Sequence, residues 1–398
     1  MHQSMLHTHF LSFFRKGLIP FTLTIFFTSV FFFVFPTSLD RNADNADVPS
    51  IDDRLGVDPF DKPPLERSWQ PPSFDLAVIK NHGCIADGLL SDYNEPDVDI
   101  PLARASNCRY FHRALETWLE PPDFNDVREV IELIGRDDVH YGMFIAEAID
   151  TKADYLYRLE NRDFEFSDMC RKNSKNFWGE HTCRPTLKDE EYRAYLDQIT
   201  RDAMDIGIRV FLFGQIHHQE ENIHFPKVDN VIRAMRAYAD SQDYEIFIGA
   251  QTGDITNKKY LSFFDFIDGG VGVRSDGIIE DGPCFSRFWQ REGDWCWPLM
   301  WHDEYTSRAE HIFISMDWNG QIGDDMHVFA SMPAAQRHDY LARLQTYMAR
   351  QDVAFFPPLI TPLPRDGTGN CHGPRKRYYS PSMEYGCKDI DVINDLLR

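Results

Sequence analysis

Eight short apolar runs, most of them separated by an amphipathic helical pattern, predict an α/β fold, a (β/α)8 barrel of the TIM type. Helical crossovers between successive strands imply parallel pairing, and eight strands is the count that closes such a barrel. A third observation counts against the alternative, an open doubly wound sheet. Its phosphate-binding glycine fingerprint is missing after the first run, where Asn81-His82-Gly83-Cys84 stands instead.

The chain divides into four parts. Residues 1–16 form a cytoplasmic tail with Arg15 and Lys16 and no acidic residue. Residues 17–36 are almost wholly apolar and long enough to span a bilayer as a helix. Asp40, Arg41, Asp44, Asp47, Asp52 and Asp53 follow directly. Basic before and acidic after predicts an uncleaved signal anchor, hence a single-pass type II membrane protein. Its catalytic domain would lie outside the cytoplasm, in a Golgi lumen, a periplasm or at the cell surface. A cleaved signal peptide is the alternative, but the apolar run exceeds a usual h-region and lacks a small-x-small site. Residues 37–72 are rich in Asp, Asn and Pro, a composition that buries too little surface to order itself, and form a stem. Residues 73–398 form the barrel.

The eight cysteines all lie beyond the anchor and form no CxxC pair, which argues for an oxidising compartment over a zinc ribbon. Pairing neighbours predicts disulfides 84–108, 170–183, 284–296 and 371–387, with three of them stapling long loops. Net charge is −22, from 41 basic and 63 acidic residues, which excludes nucleic acid and anionic membrane surfaces as partners.

In order, the runs are Phe74–Lys80, Gly142–Ile149, Arg209–Ile216, Glu245–Gln251, Phe264–Val273, Trp297–Trp301, His311–Gly320 and Val353–Thr361. Helical patterns cover 126–134, 189–206, 228–240, 333–350 and 390–397. Along the seventh run, alternation puts Ile312, Ile314 and Met316 on one face and Phe313, Ser315 and Asp317 on the other.

Catalytic groups in such a barrel come from strand C-terminal ends. That rule nominates His82, Glu147, Gln215, His217, His218, Glu220, Gln251, Asp254, Arg274, Asp276, His302, Asp303 and Asp317, with Trp301, Trp318 and Asn319 beside them. Glu147 and Asp317 stand out, because an acid in an apolar strand is costly unless it is paired or lines a wet site. Two strand-end carboxylates supply the proton donor and the nucleophile or base of glycosidic hydrolysis. Tryptophans in the loops, Trp178, Trp289, Trp295 and Trp297 among them, offer faces for sugar rings. His217-His218 with Glu220 suggests a metal site, yet neighbours on a strand point to opposite faces. No cofactor or metal is therefore predicted. A His82, His217 and Asp317 metallohydrolase stays an alternative.

Strand-end acids Glu147 and Asp317, polar strand ends and tryptophan-rich loops together resemble the broad group of (β/α)8 glycoside hydrolases. The resemblance covers residues 73–398, is architectural, and points to no particular family. It implies a glycan substrate and, in many such hydrolases, an acid/base after strand four and a nucleophile after strand seven. Strand seven offers Asp317, but the fourth run ends in Gln251 with only Asp254 beyond. Glu147 or Glu220 is then the proton donor. Two rivals remain. A type II glycosyltransferase shares the anchor-and-stem layout, and Asp97-Val98-Asp99 matches a DxD metal site. A barrel that binds glycans without catalysis is the other.

Overall fold

The structure is a computed structural model. It describes residues 69, 71–91, 95–118, 120–176, 178–251, 257–273, 279–280, 311–316, 318, 322–364, 371–373, 378–385 and 387–398. The expected tail, the expected span 17–36, all but the last few residues of the stem, the run Trp297–Trp301 and the pair Cys284–Cys296 lie outside these. Among the described residues no helix is long and apolar enough to cross a membrane.

The expected first strand is a helix, α1 (Leu76–His82). Asp75 caps it, its Oδ1 accepting from the backbone N–H of Ala77 at 2.9 Å and of Val78 at 3.1 Å. The cap and the three-residue spacing of Leu76 and Ile79 outweigh the apolar run. Ile79 is buried, and Leu76 and Phe74 pack beside it against the inner cluster. The folded part also reaches back past Ser73. Trp69 meets Tyr141 edge-on at 5.3 Å and donates its indole N–H to the Arg136 carbonyl.

The first strand is β1 (Gly83–Ala86), and β2 (Tyr110–Glu116) follows after α2 (Pro96–Ala105). Neither is among the expected eight. β1 is only four residues long, and His112, Arg113 and Glu116 interrupt the apolar pattern of β2. Then come α3 (Phe124–Ile134), β3 (His140–Ile145), α4 (Glu190–Asp205), β4 (Val210–Phe213), α5 (Val228–Ser241) and β5 (Phe247–Gln251). They are followed by α6 (Lys258–Leu261), β6 (Phe266–Val273), β7 (His311–Met316), α7 (Asp325–Ser331), α8 (Ala334–Arg350), β8 (Ala354–Phe355), β9 (Pro358–Pro362) and α9 (Ile390–Leu396). All five expected helices recur within a residue or two at each end. Asp189 caps α4 by accepting from the backbone N–H of Tyr192, as an acid just before an apolar-periodic run should.

Each strand from β1 to β7 pairs in parallel with the next in sequence. At the other edge β9 pairs with β1, Ile85 opposite Pro358. Only Phe356 and Pro357 separate β8 from β9. The Phe356 N–H bonds to the Ile314 carbonyl of β7, and the Ile85 N–H bonds to the Pro357 carbonyl. The sheet therefore curls until both its edges fall on Ala354–Pro362, a TIM-barrel-like order with no doubly wound switch point.

Alternation sorts the strand residues into two cores. Ile85, Tyr110, Phe144, Val210, Leu212, Phe247, Phe266, Phe313 and Phe356 form an inner cluster. Phe111, Met143, Phe211, Ile248, Ile267, Ile314 and Met316 pack outward among the helices. The alternation read along the seventh run is observed for Ile312, Ile314 and Met316 against Phe313. Inside, small residues make room for rings: a Cβ on Gly142 would strike the Tyr110 hydroxyl, and one on Gly249 the Phe266 ring.

Disulfides join Cys84 to Cys108, Cys170 to Cys183 and Cys371 to Cys387. The first does not staple a loop on the catalytic face. Cys84 sits in β1 and Cys108 just ahead of β2, with both in the outer core. The second does clamp the long excursion between β3 and α4, where Ile149–Asp150 pairs with Thr182–Cys183.

Candidate active site

Polar side chains gather where the parallel strands end. Asp87 follows β1, Arg113 and Glu116 lie late in β2, and Glu147 follows β3. Gly214 to His217 follow β4, Gln251 ends β5, Asp268 lies within β6 and Trp318 follows β7.

Arg113 has φ of 58°, and the β2–β3 register shifts between Phe111 and Leu115. Backbone in this region is strained for a non-glycine residue and persists only where its surroundings hold it. Here the guanidinium is held on three sides. Its Nε lies 3.0 Å from Asp87 Oδ1, and its Nη2 donates to Glu116 Oε1 at 2.8 Å. The group also lies over the Phe144 ring at 4.1 Å and faces the Trp318 ring at 5.5 Å. Burial pushes the Asp87 carboxyl well up, against the pull of Arg113 and the Trp318 indole. Burial disfavours the Arg113 charge, and Asp87 and Glu116 more than restore it.

Below this layer runs a buried chain of hydrogen bonds. The Tyr110 hydroxyl meets His112 Nδ1 at 2.7 Å, His112 Nε2 meets Asp268 Oδ2 at 3.0 Å, and Gln251 Nε2 donates to Asp268 Oδ1 at 3.2 Å. One assignment satisfies all three: Tyr110 donates to Nδ1, and Nε2–H donates to the carboxylate. Tyr110, His112 and Asp268 are all buried. Burial, followed by the Asp268 charge, pushes the Tyr110 hydroxyl well up, so it stays a donor.

Glu147 does not reach the mouth by strand alternation. β3 stops at Ile145, the backbone bends at Glu147, and Met143 and Ile145, with which alternation groups it, face the helices. The carboxyl instead lies against Gly214. An added Cβ there would collide with Glu147 Oε2 and come within 3.3 Å of the Phe144 ring. Glu147 is 8% exposed, and Oε2 has no hydrogen-bond partner. Burial raises its carboxyl above the usual range. Its own N–H, Arg113, the Gln215 N–H and Arg184 all pull the other way. Such a carboxyl keeps its proton to higher pH than a free glutamate.

His217 sits in the tight turn Ile216–Gln219, its ring 4.0 Å from that of His218. Its Nε2 is buried without a partner, and burial, with His218 and Arg184, brings the ring down to about 3, so it is neutral near pH 7. Trp178 is crossed by Trp118 at 6.2 Å and by the Arg184 guanidinium at 5.0 Å.

Three expectations need correction. Glu220 caps α5: its carboxylate accepts from the N–H of Lys227 at 2.8 and 2.9 Å and of Val228 at 2.8 Å, which occupies both oxygens. His82 lies at the N-terminal end of β1, opposite the mouth, with Nδ1 2.7 Å from the Leu397 carbonyl. It cannot share an ion with His217, and no metal-holding cluster occurs among the described residues. Asp97 and Asp99 lie in the first turn of α2, and Asp99 accepts from the Glu95 N–H at 2.8 Å, so helix capping accounts for the DxD pattern. Asp317, Asn319, Asp254, Arg274, Asp276, Trp301, His302 and Asp303 lie outside the described residues.

Asp87, His112, Arg113, Glu116 and Asp268 were not among the expected site residues. The cost of an acid inside an apolar run, the argument applied to Glu147, applies equally to Asp268 within FIDGGV and to Asp87 after GCIA.

No family model matches the chain, and no curated protein matches it. Similar solved structures include a GH113 β-1,4-mannanase, at 14% identity over 80% of this chain and 98% of that one, with a TM-score of 0.44. The glycoside hydrolase domain of PelA from Pseudomonas aeruginosa is similar at 13% identity over 69% and 92%, with a TM-score of 0.37. A GH27 β-L-arabinopyranosidase from Geobacillus stearothermophilus is similar at 13% identity, with a TM-score of 0.25. The match covers 36% of this chain and only 33% of that one. The strand order itself is TIM-barrel-like, and no particular family is singled out.

Proposed function

We propose that the chain is a glycoside hydrolase, held at a membrane by residues 17–36, with its barrel outside the cytoplasm. One observation carries this reading. Glu147, at a strand end, is buried in space left by a glycine, with one oxygen unpartnered and a carboxyl that burial makes hold its proton to higher pH than a free glutamate. This is the state a general acid needs to protonate a leaving glycosidic oxygen. Asp317, one residue before Trp318, is the second carboxylate, acting as nucleophile or as the base that activates water. Trp118, Trp178 and Trp318 supply aromatic faces for sugar rings, and Asp87, Glu116 and Gln251 supply acceptors and donors for hydroxyls. In the observed order Glu147 follows strand three and Gln215 and His217 follow strand four.

The test is a broad glycan panel, without added metal or nucleotide sugar, read by mass spectrometry for wild type, Glu147→Gln and Asp317→Asn. Sugar release by wild type and by neither variant is the expected result. A longer product that requires manganese and a nucleotide sugar would establish a transferase instead. Binding of glycans by a folded protein that cuts none would leave a binding protein.

A further inference from the structure

The two cationic groups that act on Glu147 are not alike. Arg184 reaches it from the excursion between β3 and α4, while Arg113 comes from β2 and is itself gripped by two carboxylates. The other groups acting on Glu147 are its own N–H and the Gln215 N–H after β4, while Tyr192 from α4, which feels the Glu147 charge, donates its hydroxyl to Gln219 Oε1 at 2.9 Å. Burial pushes the Tyr192 hydroxyl up, so it is neutral. Arg113 is thus the adjustable charge.

We propose that Asp87, Arg113 and Glu116 form a charge clamp that sets how firmly Glu147 holds its proton, with Arg113 as a positioning residue. A bare guanidinium beside a buried carboxyl favours the anion and would strip Glu147 of its proton. With Asp87 at 3.0 Å and Glu116 at 2.8 Å, the Arg113 charge is largely balanced within the clamp. Its field at Glu147 is correspondingly weak. The geometry is built for this. Arg113 adopts φ of 58° at a register shift, an arrangement that brings its side chain between two acids instead of along the strand. Its guanidinium lies on the Phe144 ring, and Phe144 also borders the Gly214 space that holds the Glu147 carboxyl. The inference rests on the reading of Glu147 as proton donor.

The test is a titration of the Glu147 carboxyl in the full chain, by NMR of 13C-labelled glutamate. Its signal is assigned as the one lost in Glu147→Gln. Arg113→Met removes the cation and should raise the Glu147 midpoint. Glu116→Gln removes a balancing anion and should lower it, each by about half a pH unit or more. Arg113→Lys should return the midpoint toward wild type. Opposite movements in the two variants are what a merely structural role would not produce. Unchanged midpoints, or movement in one direction for both, overturn the proposal. Should Arg113→Met fail to fold, the direction of Glu116→Gln alone decides. The titration needs no substrate, so a silent glycan panel would remove the hydrolase reading and leave this result standing.

Discussion

The carboxyl of Glu147 occupies the space where residue 214 would carry a Cβ. Gly214 continues the inward face of Val210 and Leu212, and a methyl there would meet Glu147 Oε2, the Glu147 backbone nitrogen at 3.2 Å and the Phe144 ring at 3.3 Å. Two of these three neighbours are not the far end of a flexible chain. Gly214→Ala should therefore cost about 1–3 kcal/mol in stability and displace the carboxyl. Urea denaturation measures the first, and loss of sugar release out of proportion to the lost stability measures the second. An alanine variant as stable and active as wild type would show that the close approach is unimportant.

Glu147 and His217 give opposite pH dependences of stability. The folded-state pKa of Glu147 is raised, so the folded chain holds its proton over a window where the unfolded chain does not. Its contribution is full below the ordinary glutamate value and is lost as pH rises through the raised one. His217 is brought down to about 3, so its contribution is full above the ordinary histidine value and is lost as pH falls toward 3. Denaturant midpoints across pH 3–8 should show Glu147→Gln steepening the loss of stability toward acid, and His217→Gln flattening it. The same slope in all three proteins would refute both assignments.

The chain Tyr110–His112–Asp268–Gln251 offers a graded series. Tyr110→Phe removes only the donor to His112 Nδ1 and should cost about 1–3 kcal/mol. His112→Ala leaves Asp268 buried with its main partner gone, and should cost about 3–5 kcal/mol. Equal losses in denaturation experiments would argue against a hydrogen-bond chain and for simple cavity formation.

Glu220 separates capping from catalysis. Glu220→Ala should lower stability by about 1 kcal/mol through the exposed start of α5 and leave the products of the glycan panel unchanged. Loss of sugar release in a variant that still folds would return Glu220 to the catalytic set.

Sequence alone was enough for the alternating α/β plan, for α3, α4, α5, α8 and α9 within a residue or two, for the facing of β7, and for three cysteine pairs. All of these depend on local periodicity, capping or closeness along the chain, and such signals survive without tertiary context. Glu147 also stood out, because a lone acid in an apolar run demands a partner or a wet site. Tertiary structure decided the rest. Asp75 turned an apolar run into α1, and β2 carries His112, Arg113 and Glu116 because Asp268 on β6 and Asp87 just after β1 partner the first two and Arg113 partners Glu116. Glu220, equal to Glu147 in sequence, was drawn to the start of α5. A polar residue's role depends on which charges and backbone groups come within a few ångströms, and those contacts join segments far apart in sequence, as His112 and Asp268 do across 156 residues. No periodicity in one dimension records them.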